Sequence, residues 1–317
     1  MQRRIPSVSA RALRRWTAAV VVVDAAVVVT GAAVRLTGSG LGCPTWPNCT
    51  GDQVGSAGLG LRGAIEFGNR LVGIAAFAVL VVTAVLAACQ RPGRRDLRRL
   101  SAGLVAGFFA NGVIGGITVL THLNPGVVAV HFLFNMALLV AAVALHRRAG
   151  SAPLAMRASG PLPPLARATV VVAGFVLLAG TLATGSGPHG GDPGAPRFHL
   201  GPLDRVTALH ADAAMLLTGL VAALALVARA TPTAHATRRA TVRLLLLVAA
   251  QAALGFTQYL LDLPAVLVLA HVAGATLLWL AAIDLDARLR RPPAPAAVLD
   301  QMPAARPAAL LGSALPA

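Results

Sequence analysis

The chain has 317 residues, of which 56% are hydrophobic and only 12% are charged. Soluble domains carry about 25% charged residues, so this composition excludes an ordinary water-soluble globule, and its apolar content excludes intrinsic disorder. Three cysteines in a chain of this length exclude a disulfide scaffold. Long apolar segments recur along the sequence, which predicts an all-α protein that crosses a membrane several times.

Eight of these segments are long enough to cross roughly 30 Å of hydrocarbon. They are predicted as transmembrane helices over residues 16–36, 64–88, 100–120, 127–146, 168–186, 205–229, 243–261 and 265–285. The first run is interpreted as a signal anchor, because it is of span length and seven more spans follow. The predicted divisions are an N-terminal segment 1–15, a first four-helix bundle 16–146, a linker 147–167, a second four-helix bundle 168–287, and an Ala/Pro-rich tail 288–317 expected to be disordered.

The charge is strongly one-sided. The net charge is +16, and all 27 basic residues are arginine. In the predicted topology most arginines lie on the side that holds both termini, and the other side has only Arg35, Arg62, Arg70, Arg197 and Arg205. The positive-inside rule therefore predicts a plasma-membrane protein with both termini in the cytoplasm. Lipid headgroups, and not nucleic acid, are the expected partners of this charge.

The two halves of the sequence resemble each other. Residues 37–40 and 184–187 both read Thr-Gly-Ser-Gly, each at the end of a predicted span. Gly115 precedes His131 by sixteen residues, and a second glycine precedes His271 at the same spacing. Spans 1–4 and 5–8 are therefore predicted to be two copies of one four-helix unit, which gives two pseudo-symmetric bundles.

Three histidines lie one to two turns inside predicted spans, counted from the outer end: His131, His210 and His271. Each could be an interior, hydrogen-bonded side chain, but ionisable groups at such depth usually mark function. Imidazole is the usual axial ligand of haem iron in helical bundles. His210 and His271 could therefore clamp one haem in the second half, where the small residues 272–275 would let a flat macrocycle approach. In the first half, Asn69 stands where His210 has its counterpart, so His131 would leave one face of its haem open.

Polar residues accompany the first-half histidine. Glu66 is the only glutamate of the chain, and it shares one helix face with Asn69 and Arg70. The carboxylate could form a structural ion pair with Arg70, or it could act as an acid, a base or a cation stabiliser. Asn135, one turn after His131, is a candidate supporting group.

The first outer loop contains Cys43 and Cys49. The outer face is oxidising, which favours a disulfide. This bond could be a structural staple or a redox-active pair. Arg35, Arg70 and Arg205 lie closest to the outer span ends and could either bind acidic groups such as haem propionates or reach lipid headgroups.

Several strings together carry a family resemblance. They are Gly-Ser-Gly-Leu-Gly-Cys-Pro at 38–44, Ile-Glu-Phe-Gly-Asn-Arg at 65–70, Thr-Gly-Ser-Gly-Pro-His-Gly-Gly-Asp-Pro at 184–193 and Leu-His-Ala-Asp at 209–212. With His131 and His271, they make residues 14–290 resemble the haem A synthase family in its actinobacterial form. The resemblance implies eight spans in two bundles. It also implies oxidation of the C8 methyl group of haem O to a formyl group, with oxygen from water, which yields haem A for cytochrome oxidase.

The resemblance also assigns roles to residues. It implies that His210 and His271 ligate a haem b cofactor, and that Glu66 is the catalytic carboxylate. The substrate haem O would be bound by His131, with Asn69 and Arg70 beside it, and Cys43 and Cys49 match the outer-loop cysteine pair of the family. Many members have a second histidine where this chain has Asn69, so the sixth position of the substrate iron departs from that pattern. The implied partners are haem O, haem A and a haem O synthase, and a homo-oligomer is compatible with the sequence.

Two other functions compete with this reading. A non-catalytic b-type cytochrome that carries electrons would bind haem without altering it. A transporter would also suit an internal repeat, but it predicts polar residues at the bilayer centre on broken helices. The polar residues singled out here cluster toward the outer ends of predicted unbroken spans, which disfavours transport.

Overall fold

The computed structural model describes residues 8–52, 54–90, 93–150 and 160–290. This part of the chain forms eight helices and no strand, and each helix is long and apolar enough to span a membrane, which confirms the predicted fold class. The helices are α1 (Ala10–Leu36), α2 (Gly60–Ala88), α3 (Arg95–Leu120), α4 (Pro125–Ala149), α5 (Leu162–Ser186), α6 (Leu203–Ala230), α7 (His235–Leu260) and α8 (Ala265–Leu289). The predicted disordered tail lies outside the described residues from 291 onward.

The two ends of the helical array differ in chemistry. The loop between α1 and α2 contains the Cys43–Cys49 disulfide, which confirms the predicted pairing. The end of the array that holds this loop is called the disulfide end below, and the opposite end, where α1 begins and α8 ends, is called the arginine-rich end. Asn124 caps the start of α4 at the disulfide end, where its side chain accepts a hydrogen bond from the backbone N–H of Gly126 at 3.0 Å.

Helices α1–α4 form one bundle and α5–α8 a second one. In each bundle consecutive helices pack against each other, and the fourth helix packs against the first. Helices α2 and α4 therefore occupy opposite corners of the first bundle, and α6 and α8 occupy opposite corners of the second bundle. The bundles meet where α1 and α4 pack on α8 and α4 packs on α5. One apolar core crosses this seam and joins Val28 and Leu139 to residues of the second bundle such as Leu224.

The turns α3–α4 and α7–α8 have closely similar backbone conformations. His122 and Leu123 have φ of 50° and 61°, and their counterparts 140 residues later, Asp262 and Leu263, have φ of 58° and 59°. These left-handed conformations are uncommon for residues other than glycine. The backbone N–H of Leu123 and that of Leu263 each donate to a carbonyl five residues earlier at 2.8 Å. Two identical strained turns at one offset support the predicted repeat.

Hydrogen bonds and an ion pair tie the bundles together along their whole depth. At the disulfide end, Gly40 N–H donates to the carbonyl of Gly191 at 2.8 Å. Near the middle, the indole N–H of Trp279 donates to the Met136 carbonyl at 3.0 Å. At the arginine-rich end, Arg147 pairs with Asp284.

Candidate haem sites

The second bundle brings His210 and His271 together. Their helices α6 and α8 occupy opposite corners, and the ring centroids are 6.3 Å apart, edge to face. His210 Nδ1 lies 3.1 Å from the carbonyl oxygen of Val176 on α5. A carbonyl only accepts, so Nδ1 carries the proton and Nε2 keeps the lone pair that a metal needs. His271 Nδ1 is buried without a partner among the described residues. This donor set fits a haem iron held between two imidazoles.

Glycines make room for these rings. A Cβ atom added at Gly180 would lie 2.9 Å from Cε1 of His210, and one added at Gly255 would lie 3.3 Å from Cε1 of His271. Both rings therefore rest directly on helix backbone. The structure differs from expectation at residues 272–275, because the amide of Gln251 lies over Gly274 and occupies that space.

The first bundle holds His131 in the same way as the second bundle holds His271. A Cβ atom at Gly115 would lie 3.0 Å from Cε1 of His131, and His131 Nδ1 is buried without a partner in the described part of the chain. Asn69, on the helix at the opposite corner, accepts a hydrogen bond at its Oδ1 from the hydroxyl of Thr30 at 2.7 Å. The first bundle therefore presents one imidazole and, across from it, an amide engaged with α1.

Glu66 is buried at the disulfide end of α2 and binds the cysteine loop. Its Oε2 accepts from the backbone N–H of Cys43 at 2.7 Å, and its Oε1 accepts from Arg70 Nη2 at 2.6 Å. Arg70 also donates to the loop carbonyls of Thr45 and Pro47, at 3.0 and 3.1 Å. The ion-pair alternative for Glu66 is therefore present as a contact, and it links α2 to the disulfide loop.

The cysteine loop, which contains residues 43–49, packs against α2 and α3. Cys43 and Cys49 are both fully buried. The Trp46 ring lies against Gly116 of α3, so a Cβ atom there would overlap the indole. Because both sulfur atoms are covered, an external thiol reaches the disulfide only when the loop moves away from its seat.

The arginines expected near acidic groups have different surroundings. Arg35 donates to the carbonyl of Thr184 at 2.9 Å, and also to that of His189, so it ties α1 to the second half. Arg70 is bound to Glu66 and the loop, and Arg205 is exposed. His189 in turn contacts the Leu263 carbonyl at 2.8 Å through Nε2. Sequence reasoning missed the structural roles of Arg35 and His189, because both depend on loop conformation.

Sequence reasoning also missed Asp24, a carboxylate near the middle of α1 that is 1% exposed. It lies beside Asn135 of α4, whose Oδ1 accepts from Asn111 Nδ2 of α3 at 3.0 Å. Asp24 Oδ1, Asn111 Oδ1 and Asn135 Nδ2 are buried without hydrogen-bond partners among the described residues. The sequence signal that points to Asp24 is a single carboxylate within a run of valines and alanines. A charged group is costly inside a transmembrane helix and usually serves a function there.

Comparison with known proteins supports a family assignment. No curated protein matches the chain significantly. The family model of the cytochrome oxidase assembly proteins (COX15-CtaA) matches residues 14–57 and 61–189, more than half of the chain. The matched part contains Glu66 and His131, whereas His210 and His271 follow it in sequence. The chain belongs to the COX15-CtaA family of cytochrome oxidase assembly proteins, the family of the haem A synthases.

Proposed function

We propose that this protein is a haem A synthase that oxidises the C8 methyl group of haem O to a formyl group. The observation that carries this proposal is the unequal pair of sites on one repeated scaffold. The second bundle offers two facing imidazoles, and the first offers a single imidazole opposite an amide. A closed two-histidine site suits electron transfer, whereas a site with one open face suits a haem that is bound, changed and released.

His210 and His271 would hold haem b, which when bound supplies one-electron redox chemistry. His131 would ligate the iron of haem O. Converting a methyl group and one water to a formyl group releases four electrons and four protons, and the electrons leave to an external acceptor. We assign the membrane orientation from the arginines, with both termini in the cytoplasm and the disulfide end outside.

Glu66 would serve the substrate site from the disulfide end. Its carboxylate oxygens accept from Cys43 and Arg70, and a carboxylate has about four lone-pair sites, so acceptor capacity remains for a proton or a developing positive charge. The two hydrogen bonds hold the side chain in one orientation, as positioned catalysis requires. The disulfide that the same loop contains would be a staple, because its sulfurs are covered.

The competing candidate is a haem-binding electron carrier, which the Glu66–Arg70 contact favours, since it gives Glu66 a purely structural use. The two candidates differ in product. We would co-express the chain with a haem O synthase, extract the haems and separate them by chromatography with mass detection. Haem A formation supports the proposal, and only haem O and haem B from cells that contain the haem-loaded protein would refute it.

The same assay tests Glu66. Glu66→Gln should abolish haem A while the protein keeps its second-bundle haem. The matched control is Asp96→Asn, which removes a carboxylate from an ion pair with Arg94 at the opposite end of the molecule. Equal haem A from parent and Glu66→Gln would restrict Glu66 to holding the loop.

A further inference from the structure

We propose that Asp24, Asn111 and Asn135 bind the hydroxyl group on the long alkyl side chain of haem O, and that this contact selects haem O over haem B. The inference rests on the proposed function, because it takes haem O as the substrate of the first bundle. Haem B has a vinyl group at the position where haem O carries the hydroxyalkyl chain, so one hydroxyl-binding site can distinguish them.

The unpartnered atoms of the cluster match a hydroxyl group. Asp24 Oδ1 and Asn111 Oδ1 are acceptors, and Asn135 Nδ2 is a donor. A hydroxyl offers one donor and two acceptor lone pairs, so it can satisfy both kinds of group. A buried polar atom left without a partner costs about 1–3 kcal/mol in proteins, and lipid offers no water to replace it. Asp24 and Asn135 lie beside each other, and Asn111 Oδ1 has no partner among the described residues, so a single hydroxyl group placed between the three side chains could bond to all of them.

The cluster lies directly below the candidate iron ligand. Asn135 follows His131 by one turn of α4, which is about 6 Å along the helix axis and away from the disulfide end. The His131 ring lies beside the backbone carbonyl of Asn111. The charged propionates of a haem bound by His131 would face the aqueous disulfide end. The opposite rim, which carries the alkyl side chain of haem O, would then face Asp24 and its partners.

The second bundle lacks this cluster, as a haem B site should. At the 140-residue offset of the repeat, Asn135 corresponds to Ala275 and Asn111 to Gln251. The amide of Gln251 lies over Gly274 instead of reaching across the bundle. At the offset of the two Thr-Gly-Ser-Gly strings, Asp24 corresponds to the exposed Val171. Among the described residues, Asp24 and Asn135 therefore have apolar counterparts in the second bundle, and only Asn111 has a polar one, Gln251.

Binding measurements on the purified full chain test the proposal. With the second site filled with haem B, the first site is titrated with haem O or with haem B, and the ratio of the two dissociation constants is taken for each variant. Asp24→Leu, which replaces the carboxylate with a branched apolar side chain, should weaken haem O binding about tenfold and leave haem B binding unchanged. Asp24→Asn retains an acceptor and should keep most of the preference. Thr83→Val removes another buried hydroxyl of the first bundle and should change neither constant.

The outcomes separate this inference from the proposed function. If the parent protein binds no haem O in the first bundle, the proposed function fails. If the parent binds haem O, but Asp24→Leu has the parental ratio or loses both haems equally, the hydroxyl assignment is overturned and the cluster holds water or supports packing. Asn135→Leu is the second variant, measured in the same way, in case Asp24→Leu yields no folded protein. A parental ratio in that variant overturns the proposal equally.

Discussion

Arg70 is the residue that fixes the cysteine loop in place. Its planar guanidinium reaches Glu66 and several loop carbonyls at once, which a point charge cannot do. Only the contact between Arg70 and Glu66 follows from helical periodicity. The face shared by Glu66 and Arg70 could be predicted from the sequence, but the partner on the other side is loop backbone, whose course no repeat spacing encodes.

Arg70→Lys should loosen the loop while the positive charge is kept. The loss of the forked contact is expected to speed reduction of the Cys43–Cys49 disulfide about fivefold, equivalent to roughly 1 kcal/mol of loop stability. The rate is measured by trapping released thiols with a maleimide after a mild reductant. Arg62→Lys, an exposed arginine on the same helix, is the control. Unchanged rates in Arg70→Lys would mean that the loop is held by packing alone.

His210→Ala should remove the low-spin spectrum of a haem held by two imidazoles, because one axial ligand is lost. The hydrogen bond from its Nδ1 to Val176 leaves Nε2 for the iron. The measurement is the absorbance spectrum of the purified, reduced protein. His235→Ala, an exposed histidine at the start of α7, should keep the parental spectrum. A parental spectrum in His210→Ala would contradict the ligand assignment.

The helices are longer than the predicted spans at the arginine-rich end. The apolar runs predict starts at residues 16 and 243, whereas α1 begins at Ala10 and α7 at His235. Arginine has good helix propensity, and its long side chain reaches water from a helix that continues below the hydrocarbon. Apolar content therefore marks the membrane-crossing part of each helix, while the helix end is set by caps such as Ser9, whose hydroxyl accepts from Ala12 N–H at 3.1 Å.

The contact between the cysteine loop and α3 yields a matched pair of substitutions. A Cβ atom at Gly116 would overlap the Trp46 indole, whereas one at Gly112 would meet nothing within 4 Å. Gly116→Ala should therefore destabilise the protein by about 1–3 kcal/mol through overpacking. Gly112→Ala on the same helix should be neutral or stabilising by up to about 1 kcal/mol. Thermal denaturation in detergent measures both, and equal melting temperatures would show that Trp46 moves freely aside.

The free cysteine Cys89 can be used to test the orientation of the chain in the membrane. Cys89 is the one free cysteine and lies partly exposed at the arginine-rich end of α2. A membrane-impermeant maleimide should label it in inverted membrane vesicles and not in intact cells, because the arginine-rich end is assigned to the cytoplasm. Asp204→Cys, in an exposed position at the disulfide end of a chain that also carries Cys89→Ser, should show the opposite pattern. Labelling of Cys89 in intact cells would mean that the arginine-rich end faces outward and that the assigned topology is wrong.

The architecture of the whole molecule could be predicted from the sequence better than its individual contacts could. The eight spans and the two-bundle repeat follow from apolar length and from the Gly-to-His spacing, which recurs with the same ring-on-backbone contact at Gly115 and Gly255. The seam between the bundles could not be foreseen. It depends on side chains such as Trp279 and Arg35, whose partners are backbone carbonyls of the other half.

The closed seam has a consequence for how a hydrophobic molecule reaches the first bundle. Contacts at both ends and in the middle of the seam hold the two bundles together. Helices α1 and α4 are therefore covered on the side that faces α8 and α5. Helices α2 and α3 contact no helix of the second bundle within the described residues. The wall formed by α2 and α3 is therefore the side of the first bundle that the second bundle leaves uncovered, and it faces the surrounding lipid.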